Sequence, residues 1–148
     1  MAELVDTIIL ITTNKIFLAV FLSWLVSNLI KIMIILATEK GFSFSSLYRS
    51  GGMPSTHTSS VVGLAFGILL FDGVNAVFIL SLAFAIVVVH DAMGVRFQTE
   101  KHARFLNELI KKQKSDVPLF LEHIGHKPKE VAVGIIIGIL VPLILFNI

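Results

Sequence analysis

The sequence predicts an all-α membrane protein, a polytopic helix bundle with about four transmembrane helices and one amphipathic helix at the membrane interface. Of the 148 residues, 55% are hydrophobic and 15% are charged, and the mean hydropathy is +0.90. Soluble domains carry nearer a quarter of charged residues, so this composition favours the membrane class. Four apolar runs separated by polar segments account for the excess of hydrophobic residues.

The four predicted spans belong to a single domain, 1–148, and cover residues 16–37, 57–71, 74–90 and 130–147. A transmembrane helix needs about 20 predominantly apolar residues, a length that the first run reaches in full. Thr12, Thr13 and Asn14 precede it and are residues that cap helix N-termini. The apolar run 4–12 is too short to span, and we expect a short interfacial helix or a re-entrant piece there.

Two long loops, 38–56 and 96–129, carry most of the basic residues. The first loop holds Lys40 and Arg49, and the second holds eight lysines and arginines. Residues 1–14 and the turn at 72–73 hold only acidic charges. Because Lys and Arg concentrate in cytoplasmic loops, we expect a multi-pass cell-membrane protein with both loops in the cytoplasm and both termini outside.

The first half of the loop 96–129 has apolar residues at helical spacing opposite a basic face. These apolar residues are Phe97, Phe105, Leu106, Leu109 and Ile110. The pattern predicts an amphipathic helix on the membrane surface, and a solvated linker helix fits it about equally well. The segment 114–118, KSDVP, would end this helix.

Composition also excludes some classes of function. The chain has no cysteine, which excludes disulfides, a thiolate nucleophile and cysteine-ligated metals. A formal net charge of +2 is too small to indicate a nucleic-acid partner. The pairs Gly63/Gly67 and Gly134/Gly138 allow helices to pack closely. Because four short helices bury little surface, we also expect that a homodimer could form through these glycine-rich faces.

Polar residues collect at one end of each predicted span, always the end assigned to the cytoplasm. They are Asn28 and Lys31 on the first span, Ser55, Thr56 and His57 before the second, His90, Asp91 and Arg96 after the third, and His126 and Glu130 before the fourth. Ionisable residues at this depth are costly and usually functional. Their convergence on one face therefore predicts a site.

The residue types in this set favour phosphate chemistry. Lys31 and Arg96, with the Gly51–Gly52 backbone and the Ser55 hydroxyl, would form an oxyanion site. Two histidines from different loops could act as nucleophile and general acid. The spacing of His126 and Glu130 places both side chains on one helix face, where a carboxylate can fix the imidazole tautomer.

Four motifs in order carry a resemblance to a known family: SNLIK at 27–31, GGMPSTHTS at 51–59, DAMGVR at 91–96 followed by the LNEL of 106–109, and GHKPKEVAVGIIIG at 125–138. Together they resemble the type-2 phosphatidic acid phosphatase superfamily, which includes the vanadium haloperoxidases. The pattern is most similar to the divergent membrane branch of that superfamily. The resemblance covers about residues 14–140.

The resemblance implies a metal-independent and cofactor-free phosphatase acting on a lipid phosphate or diphosphate, such as a prenyl diphosphate or a phosphatidate-like lipid. His126 would form a phospho-histidine intermediate, Glu130 would orient it, and His57 would protonate the leaving group. The phosphoryl oxygens would be held by Lys31, Ser55 and the Gly52 backbone, and we add Gly51, Thr56, Asp91 and Arg96 as expected substrate-binding residues.

Two arginines of the superfamily pattern are absent from their usual positions. Thr38 stands seven residues after the lysine, and Phe120 stands six residues before the histidine. Arg96 is our candidate replacement because it emerges at the same membrane face, and Arg49 and Arg104 are weaker candidates. Asp91 would anchor Arg96 or bind substrate.

Two alternative functions remain open at this point. His123, His126 and Glu130, with His57 or Asp91, could bind a divalent metal, since His123 and His126 have a permissible ligand spacing. A phosphate-site scaffold without turnover, serving as a lipid-binding or assembly subunit, would explain the missing arginines. We interpret His90 and His102 as interface or hydrogen-bonded residues.

Overall fold

The computed structural model describes residues 1–38 and 51–147, and this part of the chain is helical without a strand. The described helices are α1 (Ala2–Thr13), α2 (Lys15–Thr38), α3 (Thr56–Asp72), α4 (Ala76–Met93), α5 (Val95–Gln113) and α6 (Pro128–Asn147). The predicted all-α fold is confirmed. Most of the predicted loop 38–56, including Lys40 and Arg49, lies outside the described residues.

Three helical stretches are long and apolar enough to cross a membrane: Lys15–Thr38, Ala76–Gln113, in which α4 leads into α5, and Pro128–Asn147. The helix α3 is also apolar but has 17 residues, a length of about 25 Å at the usual rise per residue. That is the short end of the range that spans a bilayer. The apolar run at the N-terminus forms α1, a short helix that contacts α2.

The helix α3 lies at the centre of the bundle and packs against α2, α4 and α6. Its Gly63 faces Ser23 of α2, and a Cβ atom at Gly63 would lie 2.5 Å from the Ser23 Oγ atom. On α6, a Cβ atom at Gly134 would lie 2.7 Å from the Ser55 carbonyl oxygen. The predicted role of the glycine pairs in helix packing is confirmed, and the contacts that show it are between helices of the same chain. The homodimer stays a prediction.

A stripe of small residues on α2 faces α3 and ends at Lys31. Ala19, Ser23 and Ser27 are fully buried and lie four residues apart. The Ser27 hydroxyl donates to the Ser59 hydroxyl of α3 at 2.7 Å. Small residues and interhelical hydrogen bonds of this kind hold membrane helices together. Lys31 follows Ser27 by four residues and so lies on the same helix face. It is 6% exposed and faces the interior of the bundle.

The helix α5 is amphipathic, as its sequence predicts, but its buried side is polar. Glu100, Ala103 and Asn107 face the protein, whereas Phe105 and Leu106 are exposed. The Asn107 amide accepts from the Phe120 backbone N–H at 2.8 Å and donates to the Phe120 carbonyl at 2.9 Å. These two bonds hold the irregular segment 115–124 against α5.

Candidate active site

The ends of four helices meet at one end of the bundle, and backbone hydrogen bonds fix how they meet. The His126 N–H donates to the carbonyl of Ala92 at the end of α4, at 3.1 Å. The Ser55 N–H donates to the Glu130 carbonyl at 3.1 Å, which joins the start of α3 to the start of α6. Three separate sequence regions that hold predicted site residues are thereby brought together.

His126 and Glu130 form a buried pair at the start of α6. The His126 Nδ1 atom lies 3.3 Å from the Glu130 Oε2 atom, which also accepts the Lys127 N–H at 3.1 Å. His126 is 3% exposed, and within the described part of the chain its Nε2 atom has no hydrogen-bond partner. A buried ring nitrogen without a partner is uncommon in folded proteins, where buried polar atoms are bonded.

Two opposing effects set the protonation of His126: burial of the ring and the nearby carboxylate of Glu130. Burial lowers the pKa of the His126 imidazole below its ordinary value of 6.5, while Glu130 acts to raise it and the charge of Lys31 lowers it further. The net direction is downward, so the neutral ring is favoured at neutral pH. A neutral imidazole held through Nδ1 keeps a lone pair on Nε2, which is the form that a nucleophile requires.

His57 and Arg96 share a cavity with His126. The cavity has a volume of about 380 Å³ and lies between α3 and α4. Arg96 donates from Nε to the Asp91 carboxylate, and its charge lies within electrostatic range of His57. The structure therefore places Arg96 beside the two imidazoles and gives Asp91 an anchoring contact. Of the other candidate arginines, Arg49 lies outside the described residues.

Lys31 and Gly52 approach each other at the same end of the bundle. Gly52 has a φ of +102°, a left-handed conformation that glycine adopts without strain. A Cβ atom at Gly52 would lie 3.8 Å from the Lys31 Cε atom. The charge of Lys31 also acts on both His57 and His126. The predicted lysine, the glycine loop and the two histidines are thus neighbours.

Ser55, Thr56 and Gly51 form the framework of the loop in this structure. Ser55 is fully buried, and its Oγ atom caps α3 and lies 2.9 Å from the Thr58 hydroxyl oxygen. The Thr56 carbonyl accepts the hydroxyl of Ser59 at 2.9 Å. The N–H of Gly51 donates to the His123 carbonyl at 2.8 Å. Their predicted contacts with phosphate stay predictions.

A smaller cavity of about 200 Å³ lies beside Glu130 and is lined by charged residues, glycines and Phe97. Gly52, Arg104 and Lys127 contribute to it. Arg104 is paired with Glu100 at 2.6 Å. Arg104 therefore lines the same cavity as Glu130, a proximity that its position in the amphipathic helix does not predict.

Sequence reasoning missed the residues that hold the His126 loop in place. Glu100 is 8% exposed, and its Oε2 atom accepts the Gly125 N–H at 3.1 Å. A Cβ atom at Gly125 would lie 2.5 Å from the Phe97 Cα atom, so only glycine permits this approach to α5. The sequence signal for this contact is Gly125, the first residue of the motif GHKPKEVAVGIIIG.

The alternative metal site is not assembled by the residues that the structure describes. Over residues 1–38 and 51–147, no three His, Asp or Glu side chains are grouped as metal ligands. His123, one of the proposed ligands, is exposed. The lysine and arginine beside His57 and His126 also fit an anion better than a cation.

Fold and site together define a polytopic helical membrane protein with a histidine-based polar site at one end of its bundle. Residues 12–141 match the family described as the Divergent PAP2 family, and the chain belongs to that family. It is 30% identical to the uncharacterized membrane protein YuiD of Bacillus subtilis strain 168, over 80% of this chain and 85% of that relative. No solved structure matches the chain.

Proposed function

We propose that this protein is a membrane phosphatase that hydrolyses a lipid phosphate or diphosphate through a phospho-histidine intermediate. The observation that carries the proposal is the state of His126: Nδ1 faces a carboxylate, and the buried Nε2 is without a partner among the described residues. A second imidazole and an arginine line the same cavity. Membership of a phosphatase-related family supports the same chemistry.

In the first step, the Nε2 lone pair of His126 attacks the phosphorus atom and the bond from phosphorus to the lipid oxygen breaks. His57 donates a proton to that oxygen, so the lipid leaves as an alcohol, or as a monophosphate when the substrate is a diphosphate. In the second step, His57 takes a proton from water, whose oxygen attacks the phosphorus atom. The bond from phosphorus to Nε2 then breaks, which releases phosphate and restores both imidazoles.

Negative charge on the transferring phosphoryl group requires fixed positive groups nearby. Lys31 acts electrostatically on both imidazoles and Arg96 acts on that of His57, and the Gly52 backbone lies beside Lys31. In the superfamily pattern two arginines stand at the positions that Thr38 and Phe120 occupy here. Arg96, which is paired with Asp91, supplies the positive charge in their place. The positive-inside charge pattern supports a site at the cytoplasmic face of the cell membrane with both termini outside.

The test is phosphate release by purified protein in detergent from a panel of lipid monophosphates and diphosphates, with and without EDTA. We expect release that EDTA leaves unchanged and that vanadate, an analogue of the phosphoryl transition state, inhibits. Loss of release in EDTA would favour a metal-dependent reaction. No release across the panel, combined with no vanadate binding, would leave the inactive lipid-binding or assembly subunit as the better function.

A further inference from the structure

The cavity beside the histidines has one polar end and long apolar walls. Its volume is about 380 Å³, within the usual range for small-molecule sites. His57, Arg96 and His126 form the polar end, and Val61, Phe84 and Val88 form the walls. The cavity thus begins at the proposed phosphoryl site and continues between two apolar helices.

The direction of the cavity follows from the spacing of its residues on α4. Ala92, Val88 and Phe84 lie four residues apart, so they share one face of that helix. Ala92 is bonded through its carbonyl to His126, and Phe84 lies about 12 Å further along the helix axis. Phe84 is 53% exposed, so the cavity is open to the surroundings of the bundle along that side.

The walls offer no unused polar side chain to a ligand. Ser60 is the one hydroxyl residue among the described residues that line this cavity, and it already donates to the Thr56 carbonyl at 2.8 Å. A glycerol backbone would place its ester carbonyls against Val61 and Val88 just below the phosphate. Polar groups buried without hydrogen bonds cost free energy, whereas a hydrocarbon chain attached directly to the phosphate costs nothing of this kind.

We propose that this cavity holds the hydrocarbon chain of the substrate and selects a single-chain lipid phosphate, of the alkyl or isoprenyl class, over a diacylglycerol phosphate. The inference rests on the proposed phosphatase function and specifies its substrate class. The chain enters between α3 and α4 past Phe84, and the carbon atoms next to the phosphate lie against Val61 and Val88. The phosphate meets the imidazoles at the polar end.

The experiment uses a non-hydrolysable probe, a long-chain alkyl phosphonate that carries a photoreactive diazirine on its chain. After irradiation of the purified protein in detergent, labelled peptides are mapped by mass spectrometry. We expect labels on α3 and α4 at Val61, Phe84 and Val88. A single-chain alkyl phosphate should compete with the probe at least tenfold better than a diacylglycerol phosphate of equal carbon number.

Adjacent valines provide a matched pair of variants. Val88→Phe fills the cavity and should reduce labelling at least fivefold, whereas Val87→Phe adds the same volume at a position that is 64% exposed and should label as the wild type does. Val88→Ala cannot block the cavity and should be labelled as the wild type is. This control shows whether a change at position 88 abolishes labelling simply by disturbing the fold. Equal competition by the diacyl lipid, or equal labelling of both phenylalanine variants, would overturn the proposal.

Labelling and turnover are measured separately, so the two proposals can fail independently. Phosphate release from lipid phosphates without labelling of the cavity would overturn the single-chain binding site and leave the phosphatase standing. Labelling of the cavity in a protein that releases no phosphate would support the binding site and overturn the phosphatase.

Discussion

The Nδ1 atom of His126 lies 3.3 Å from Oε2 of Glu130, with His126 two residues before α6 and Glu130 in its first turn. The sequence predicts this pairing from two residues one turn apart on a helix, whereas in the structure the contact is made across the start of α6. Because Oε2 also accepts the Lys127 N–H, the carboxylate is itself held by the helix start. The pair fixes one nitrogen of the ring and leaves the other for chemistry.

The first prediction concerns His126 as the nucleophile. His126→Asn should reduce phosphate release by at least about 10³-fold, since removing a nucleophile leaves only binding and charge stabilisation. His102→Asn is the matched control because His102 is an exposed residue of α5 and should release phosphate like the wild type. Both variants should elute as the wild type does in size-exclusion chromatography. A residual rate above a tenth in His126→Asn would contradict the assignment.

The second prediction concerns the pH dependence of the wild type. Burial lowers the pKa of His126 below 6.5, and the neutral ring is the active form, so the acid limb of kcat/KM should be centred below pH 6.5, while loss of the proton that His57 donates sets a separate alkaline limb. On the acid side kcat/KM should decline as the pH falls through the lowered pKa. The measurement is a pH profile of kcat/KM in detergent. An acid limb centred above 6.5 would show that a different group limits the reaction.

The third prediction concerns Glu130. Glu130→Gln removes a charge that raises the pKa of His126, so the acid limb of kcat/KM should move to still lower pH. The rate should also fall, by up to about 10⁴-fold, if the tautomer is no longer fixed. Lys129→Gln, a change at a neighbouring exposed position, should alter neither quantity. A limb that moves to higher pH in Glu130→Gln would contradict the pairing.

The fourth prediction concerns the arginine that substitutes for the missing pair. Arg96→Ala should reduce kcat/KM by about 10²–10³-fold, the usual loss when one group that stabilises transition-state charge is removed. Lys112→Ala removes an exposed charge from the same helix and should have little effect. Asp91→Asn should weaken the anchoring of Arg96 and give an intermediate loss. Equal rates for Arg96→Ala and Lys112→Ala would show that another cation serves the site.

Much of this fold is predicted by local sequence because its determinants are local. Long apolar runs set the spans, and the glycine pairs set close contacts between helices, as Gly63 and Gly134 show. The spacing of His126 and Glu130 predicts their pairing, which the structure shows, although His126 lies two residues before the helix and not within it. The position of Arg96 beside His57 follows from two helix ends on the same side of the bundle.

The rest depends on contacts between distant segments, which a single sequence does not display. Glu100 bonds the Gly125 N–H across 25 residues, and a charged residue in an amphipathic helix normally faces water. Asn107 similarly holds the backbone of Phe120. Ser55 was expected to face the phosphate, but its hydroxyl also has local partners in the cap of α3. The roles of Glu100 and Asn107 depend on how α5 packs against the segment before His126.

The fifth prediction tests the packing that carries the site. A Cβ atom at Gly134 would meet the Ser55 carbonyl oxygen at 2.7 Å and the Thr58 Cβ atom at 3.1 Å. Neither neighbour is the end of a flexible side chain, so α6 must shift away from α3. Overpacking of this kind costs about 1–3 kcal/mol, and Gly134→Ala should therefore lower the thermal unfolding midpoint measured in detergent.

The same substitution should also impair turnover, because the Ser55 N–H is bonded to the Glu130 carbonyl and a shift of α6 moves Glu130 and His126 relative to His57. The control is Ala132→Val, which adds volume at an exposed position on the same helix and should change neither the midpoint nor the rate. If Gly134→Ala retained the wild-type midpoint, the close contact between α3 and α6 at this level would be wrong. If it lost stability but kept its full rate, the geometry of the histidine pair would not depend on this contact.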